Sequence, residues 1–293
     1  MTDLAALSDA LADSVAAAAP GLVIIWPGTR AQRTGFALAP GLVVTSEQNL
    51  PVPTAMPAIL PGGGATTATF VGRDPGTNVA LLRLDLAGPA YADATPRTGA
   101  LALALGAVDG HPTAALGLIH RTGPAWTSMA GGTVDQLIRL DLRLAAVAEG
   151  GPVLDARGAL LGMSTFGPRR RVLVIPAATL RRVLPALEAG QSSGRGWLGV
   201  GLQPVTLPAA LRTDAGRDSA LMIVNLASGG PAEQAGALPG DILLDVDGTP
   251  ATDPRTIART LAADSVGRQV PLRLLRGGAP LELKVTIALR PAA

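Results

Sequence analysis

Apolar and polar positions change rhythm twice along this chain. Between residues 4 and 19, Leu4, Leu7, Leu11 and Val15 recur at three- and four-residue spacing, which places them on one side of a helix. From residue 22 the pattern breaks into short apolar runs at 22–26, 35–39, 42–45, 67–71 and 79–84, separated by Gly, Pro, Asn and Asp. Further runs follow at 101–105, 115–119, 136–141, 152–154, 160–164 and 172–175. Strand-length runs this closely spaced, with turn residues between them, predict a β-barrel or sandwich, followed by a helix over 177–187. Residues 189–196, AGQSSGRG, have the composition of a flexible linker and mark a boundary. Beyond it the order is mixed: strands at 198–202 and 221–226, a short helix at 232–235, and the hairpin-like DILLDVDGTP. Asp253 then reads as an N-cap, with Pro254 at the first position of a helix reaching Ala263. Strands at 270–275 and 281–289 flank a turn at Gly277-Gly278, completing an α+β domain.

Composition sharpens this picture. A chain of 293 residues accommodates two ordinary domains. Hydrophobic residues make up 48% but aromatics only 2%, so the cores are built from aliphatic side chains. With 36 Gly and 25 Pro in so hydrophobic a chain, many short strands are expected rather than disorder. The net charge of +2 arises from 24 basic and 22 acidic residues, and Lys284 is the only lysine. No basic stripe is interleaved with aromatics, which argues against a nucleic-acid surface. Arg169, Arg170 and Arg171 form the one basic run and read as a solvated loop.

Absence of cysteine excludes disulfides, thiolate metal sites and a cysteine nucleophile. Residues 1–20 lack a basic n-region and do not read as a signal peptide. The apolar stretch at 15–26 is interrupted by Pro20-Gly21 and is too short to span a bilayer. A cytoplasmic protein without a membrane contact is therefore expected, or a periplasmic one if the terminus is processed. Asp241, Asp245 and Asp247 lack the alternation and distal Glu of a calcium loop, and Asp247-Gly248 reads as a tight turn. No cofactor or metal site is read from the sequence.

Several segments together resemble one family. GLVVTSEQNL (41–50), GRDPGTNVALLRLD (72–85), RLDLRLAAVAEGGPVLDARGALLGMST (139–165) and VLVIP (172–176) are similar to the trypsin-like domain of the HtrA/Deg serine proteases. GWLGVGLQPV and GGPAEQAGALPGDILLDVDG are similar to the PDZ domain that follows it there. The resemblance implies a mainly β chain: a trypsin-like double β-barrel over 1–188, a linker over 189–196 and an α+β PDZ domain over 197–293.

Carried over residue by residue, the family's His, Asp and Ser positions fall on Gln48, Asn78 and Glu149. A serine protease needs a hydroxyl, an imidazole to take its proton and a carboxylate to orient the imidazole. An amide has no basic nitrogen, and a carboxylate competes for the N–H groups that hold an oxyanion. Val147 stands where the family has glycine. His111 and His120 read as surface residues, and Ser46 and Ser164 show no base in the sequence. The expectation is a proteolytically inactive relative, not an enzyme, acting as a protein-binding adaptor, regulator or scaffold. The alternatives are a structural subunit of a larger complex and a weak hydrolase with a rearranged site.

The PDZ resemblance implies capture of a protein partner by its C-terminal peptide. Trp197, Leu198, Gly199 and Val200 would form the carboxylate-binding loop, and the strand from Gly201 would pair with the peptide. Ala258 and Ala262 would line the opposite wall, with the bulk of Trp197 partly closing the pocket. Homo-oligomers or a hetero-complex remain open, since no aromatic residue precedes Trp26 to supply the family's N-terminal trimer contacts.

Overall fold

A computed structural model describes residues 4–26, 32–48, 50, 55–128, 130–190, 196–261 and 265–289, with side chains at 213–215, 255, 258 and 259 outside the description. The chain divides into two compact units, one of residues 1–128 and 133–193, the other of residues 129–132 and 194–293.

The first unit opens with α1 (Leu4–Ala18); of the four residues on its predicted apolar side, Leu11 and Val15 pack onto the core, whereas Leu4 in the first turn is 81% exposed. Six strands follow: β1 (Leu22–Ile25), β2 (Arg33–Ala39), β3 (Leu42–Ser46), β4 (Ala55–Ile59), β5 (Ala65–Asp74) and β6 (Val79–Arg83). They close into a barrel in the order β1-β2-β3-β6-β5-β4. A second closed barrel has the order β11-β14-β13-β12-β7-β8. It is built from β7 (Leu101–Val108), β8 (His111–Gly123), β11 (Leu137–Asp141), β12 (Pro152–Asp155), β13 (Leu160–Phe166) and β14 (Val172–Pro176). The small pair β9 (Trp126–Thr127) and β10 (Thr133–Val134) interrupts it, and α2 (Ala177–Glu188) closes the unit.

Small aliphatic side chains suit narrow six-stranded barrels. Val23, Ile25, Val43, Met56 and Leu82 fill the first interior, and Ala104, Ile119, Ile138, Val153 and Val174 fill the second. The opposite faces of β1, β3 and β6 carry Leu22, Ile24, Val44 and Leu81. These join Leu105, Leu154, Met163 and Leu180 in a core shared between the barrels and α2. Strands buried on both faces read as continuous apolar runs, which is why LVII and LVVTS show no alternation. Burying each such Leu or Ile contributes about 1.5–3 kcal/mol. Gly162 holds φ +149°, and a Cβ there would run into the carbonyl oxygen of Ile175 on β14.

The second unit contains β15 (Gly196–Trp197), β16 (Val200–Thr206), α3 (Ala209–Ala215), β17 (Ser219–Leu226), α4 (Pro231–Gln234), β18 (Ile242–Val246), β19 (Thr249–Pro250), α5 (Pro254–Thr260), β20 (Gln269–Arg276), β21 (Ala279–Thr286) and β22 (Ala288–Leu289). Its main sheet runs β16-β17-β18-β20-β21, so β16 is an edge strand, and Pro204 lies within it. Leu221, Ile223, Leu243, Ile257, Leu272 and Val285 form the core. The fold is the mainly β double barrel with a PDZ-type sheet domain that the sequence predicts.

The three aspartates of DILLDVDG turn to separate arginines. Asp241 accepts from Arg276 at 2.9 and 2.8 Å, Asp245 pairs with Arg273 at 3.1 Å and Asp247 with Arg268 at 2.9 Å. Asp247 and Gly248 hold φ 52° and 72°, the left-handed pair of a two-residue hairpin turn.

Candidate functional site

At one end of the first barrel β2, β3, β6 and β13 converge on the loop before β12. This brings Gln48, Asn78 and Glu149 together. Asn78 holds φ 61°, a region asparagine tolerates, and its Oδ1 accepts the Gln48 N–H at 2.7 Å. The Gln48 amide donates to Glu149 Oε1.

Three further residues complete the cluster. Ser46 Oγ lies 3.2 Å from Glu149 Oε1, Thr165 Oγ1 3.3 Å and the Phe166 N–H 3.5 Å, all donating to that one oxygen. The Asn78 amide donates to Ser46 Oγ at 3.1 Å and to Thr165 Oγ1 at 2.7 Å. Among the described residues, Glu149 Oε2 pairs with the Arg33 guanidinium alone. Glu149 is 3% exposed and Ser46 0%, so the cluster is a buried, hydrogen-bonded carboxylate rather than an open mouth.

The backbone of the loop is engaged too. The Glu149 N–H donates to Ala146 O at 3.3 Å and the Gly150 N–H to Ser164 O at 2.9 Å. Thr34 braces the loop from β2: its N–H donates to Glu149 O at 3.1 Å and its hydroxyl to Val147 O at 2.7 Å. Nearby, burial pushes the Glu47 carboxyl up, opposed by Arg73 at 3.2 Å, and burial likewise raises Asp74.

Sequence reasoning named Gln48, Asn78 and Glu149 and weighed Ser46 as a lone hydroxyl; it missed Arg33 and the role of Thr165. Arg33 and Glu149 are 116 residues apart, so no local pattern signals their pairing. Ser164, also weighed as a stray nucleophile, donates to Ala148 O at 2.9 Å and is buried. His111 and His120 are exposed on β8.

In the second unit, Leu198 and Gly199 lead into the edge strand β16. Their carbonyls accept the N–H groups of Ala232 and Ala227 at 2.9 and 2.8 Å, while their own N–H groups have no acceptor among the described residues. Gly199 holds φ +76°. Val200 and Gly201 pair with Leu226 and Asn225 of β17, leaving the other edge of β16 unpaired, with α5 alongside. The side chain of Ala258 on α5 and the whole of Ala262 lie outside the described residues. Trp197 pairs with Ala288, and its ring lines a cleft of about 410 Å³ with Pro231, Gln234, Lys284 and Thr286, none of them on β16 or α5.

Comparison with known proteins agrees with both units. Residues 33–163 match the trypsin-like peptidase domain and residues 196–287 the PDZ domain. The chain is 29% identical over 275 residues to the probable periplasmic serine endoprotease DegP-like of Brucella suis, covering 89% of this chain and 53% of that protein. The protein of that name from Rhizobium meliloti is also 29% identical, with 90% and 54% covered. The chain thus spans about half the length of the curated relatives it matches. Among solved structures, the HtrA-type protease AlgW with tripeptide is 27% identical at a TM-score of 0.64, covering 97% of this chain and 98% of that one. The serine endoprotease from Yersinia pestis, at 24% identity, shares the fold at a TM-score of 0.69, with 96% and 98% covered.

These relatives correct two expectations. They are named serine endoproteases, which overturns the expectation that the chain is not an enzyme. Residue types at three positions do not exclude hydrolysis through another hydroxyl of the cluster, and Ser46 has the carboxylate neighbour that the sequence did not reveal. They are also named periplasmic, which overturns the cytoplasmic expectation. That expectation rested on the absence of a leader in the given sequence, and where a sequence starts does not locate a protein. Among the described residues no helix is long and apolar enough to cross a membrane. A trypsin-like double barrel and a PDZ domain in one chain, with DegP-like relatives across most of its length, place this protein in the HtrA/Deg family.

Proposed function

We propose that the chain works as a protein-binding adaptor or regulator, capturing the C-terminal segment of a partner along β16. The observation that carries this reading is the pair of N–H groups at Leu198 and Gly199 that have no acceptor among the described residues, beside a strand edge that no described strand pairs. Free N–H groups hold a terminal carboxylate, and the strand edge supplies main-chain bonds to the residues before it. A solved structure of the similar HtrA-type protease AlgW with tripeptide supports a peptide-binding reading here. The expected Kd is about 1 μM, equivalent to about −8 kcal/mol.

Fluorescence polarisation with a labelled apolar-ended peptide tests it. The free-acid form is expected to bind at least about tenfold more tightly than the C-terminal amide, a difference of about 1.4 kcal/mol. Gly199→Val, which places a branched side chain at φ +76°, is expected to abolish the difference. Equal affinity for acid and amide would refute carboxylate capture.

A second reading, peptide hydrolysis at a rearranged site, is favoured by the Ser46–Glu149 contact and the names of the relatives. Substrate reaches Ser46 only if the buried cluster opens. Turnover of unfolded casein that disappears in Ser46→Ala supports it, and turnover unchanged by Ser46→Ala removes it.

A further inference from the structure

The turn between β13 and β14 is held closed by bonds from the Gly167 N–H to Arg171 O at 2.8 Å and from the Arg171 N–H to Pro168 O at 3.4 Å. Within it Arg169 and Arg170 both hold left-handed backbone, φ 58° and 54°, and Arg169, Arg170 and Arg171 are exposed. The Arg170 guanidinium lies 4.6 Å from the centre of the Phe166 ring, which orients it. On the strands beside this turn, Arg139 of β11 stands directly opposite Arg121 of β8, and Arg139 also faces Leu173 of β14. Ile138, Leu140, Val172 and Val174 point into the barrel, so Arg121, Arg139 and Leu173 point out. Arg171, two residues before Leu173, shares that outer face.

Like charges directly opposite destabilise an antiparallel pair. None of these five arginines has an ion-pair partner among the described residues. Asp141 lies on the same stretch of β11 and is exposed without an ion pair. Beside it on β8 are Leu118 and Leu116, 45% and 50% exposed, with Leu118 opposite Asp141. The face thus combines five guanidinium groups outside any ion pair among the described residues, a single carboxylate at Asp141, and an apolar margin.

We infer that this face is a docking surface for an acidic segment of a partner protein, one that carries Asp or Glu side chains and an apolar residue. The guanidinium fork matches a carboxylate with two parallel bonds. Leu116 and Leu118 give an apolar side chain a place to lie, which a phosphate backbone does not need. The nearby aromatic face, Phe166, is already covered by Arg170, so no platform for stacking bases is offered. The surface reads side chains rather than a chain end and is independent of the β16 groove.

The test uses the full chain and a fluorescein-labelled peptide of mixed Glu and Leu with an amidated C-terminus, which removes any carboxylate capture. Binding is expected at low salt and to weaken as salt rises. The triple variant Arg169→Gln, Arg170→Gln, Arg171→Gln and the pair Arg121→Gln, Arg139→Gln are each expected to weaken it about tenfold or more, with unchanged thermal melting. Equal binding by wild type and both variants overturns the inference. So does single-stranded DNA of equal charge displacing the peptide at lower concentration, which would mark a surface for nucleic acid instead.

Discussion

Replacing Arg33 with methionine isolates a buried charge, the Glu149 carboxylate. In the native cluster Glu149 Oε1 receives four donors, from Gln48, Ser46, Thr165 and Phe166, whereas Oε2 receives Arg33 alone. Arg33→Met therefore leaves one carboxylate oxygen, in a side chain 4% exposed, with neither bond nor counter-charge among the described residues. Breaking a buried ion pair from one side costs about 3–5 kcal/mol. The four donors left on Oε1 hold the estimate near 3 kcal/mol. Urea unfolding in a Trp197→Phe background reads the first unit through Trp26 and Trp126, the chain's other two tryptophans. With a slope of about 2 kcal/mol/M, the midpoint falls by about 1.5 M. Adding Glu149→Met removes the stranded charge, and the double variant is expected to recover about 2 kcal/mol relative to additivity. A loss below about 1 kcal/mol in the single variant, or strict additivity in the pair, refutes the claim that this carboxylate depends on Arg33.

Three further outcomes are expected. Gly162→Ala, which sets a Cβ against the Ile175 carbonyl, lowers stability of the first unit by about 3 kcal/mol, read by the same unfolding curves. In the second unit, burial pushes the Asp241 carboxyl up, but bonds from Arg276 and the Leu238 N–H together outweigh it and hold the group below its usual value. A depressed carboxylate stabilises above its unfolded pKa of about 3.9, and that contribution fades as pH falls through the folded value. Calorimetry should therefore show Asp241→Asn melting below wild type at neutral pH, with the gap closing in acid. Thr34→Val removes the hydroxyl that donates to Val147 O and accepts the Ala107 N–H at 3.0 Å, and should cost about 2 kcal/mol; an unchanged melting curve would deny Thr34 its bracing role.

The barrels were legible because strand-length apolar runs and turn residues are local signals. β4 was not, since Met56 and Ala58 are its only fully buried residues and Pro57 stands between them. β8 extends well beyond the predicted 115–119, because its exposed residues carry little apolar signal. α3 follows Pro208 without a side-chain cap and was missed. At the candidate site, Gln48, Asn78 and Glu149 were found through their surrounding motifs. Arg33 was not, because its meaning comes from a partner in the other barrel that only the closed fold brings near.

Pro204 carries a different consequence. A sheet edge with every N–H free is a template on which identical chains can stack. A residue without an N–H interrupts that ladder, and proline is tolerated on an edge strand because its missing donor faces away from the paired neighbour. Because Pro204 lies four residues into β16, strand addition is confined to the short stretch from Val200 to Gln203. That is enough for the tail of one guest of the kind proposed above and too little for a full ladder, so this edge of the sheet can stay receptive at high concentration without serving as a template for a second copy of the chain.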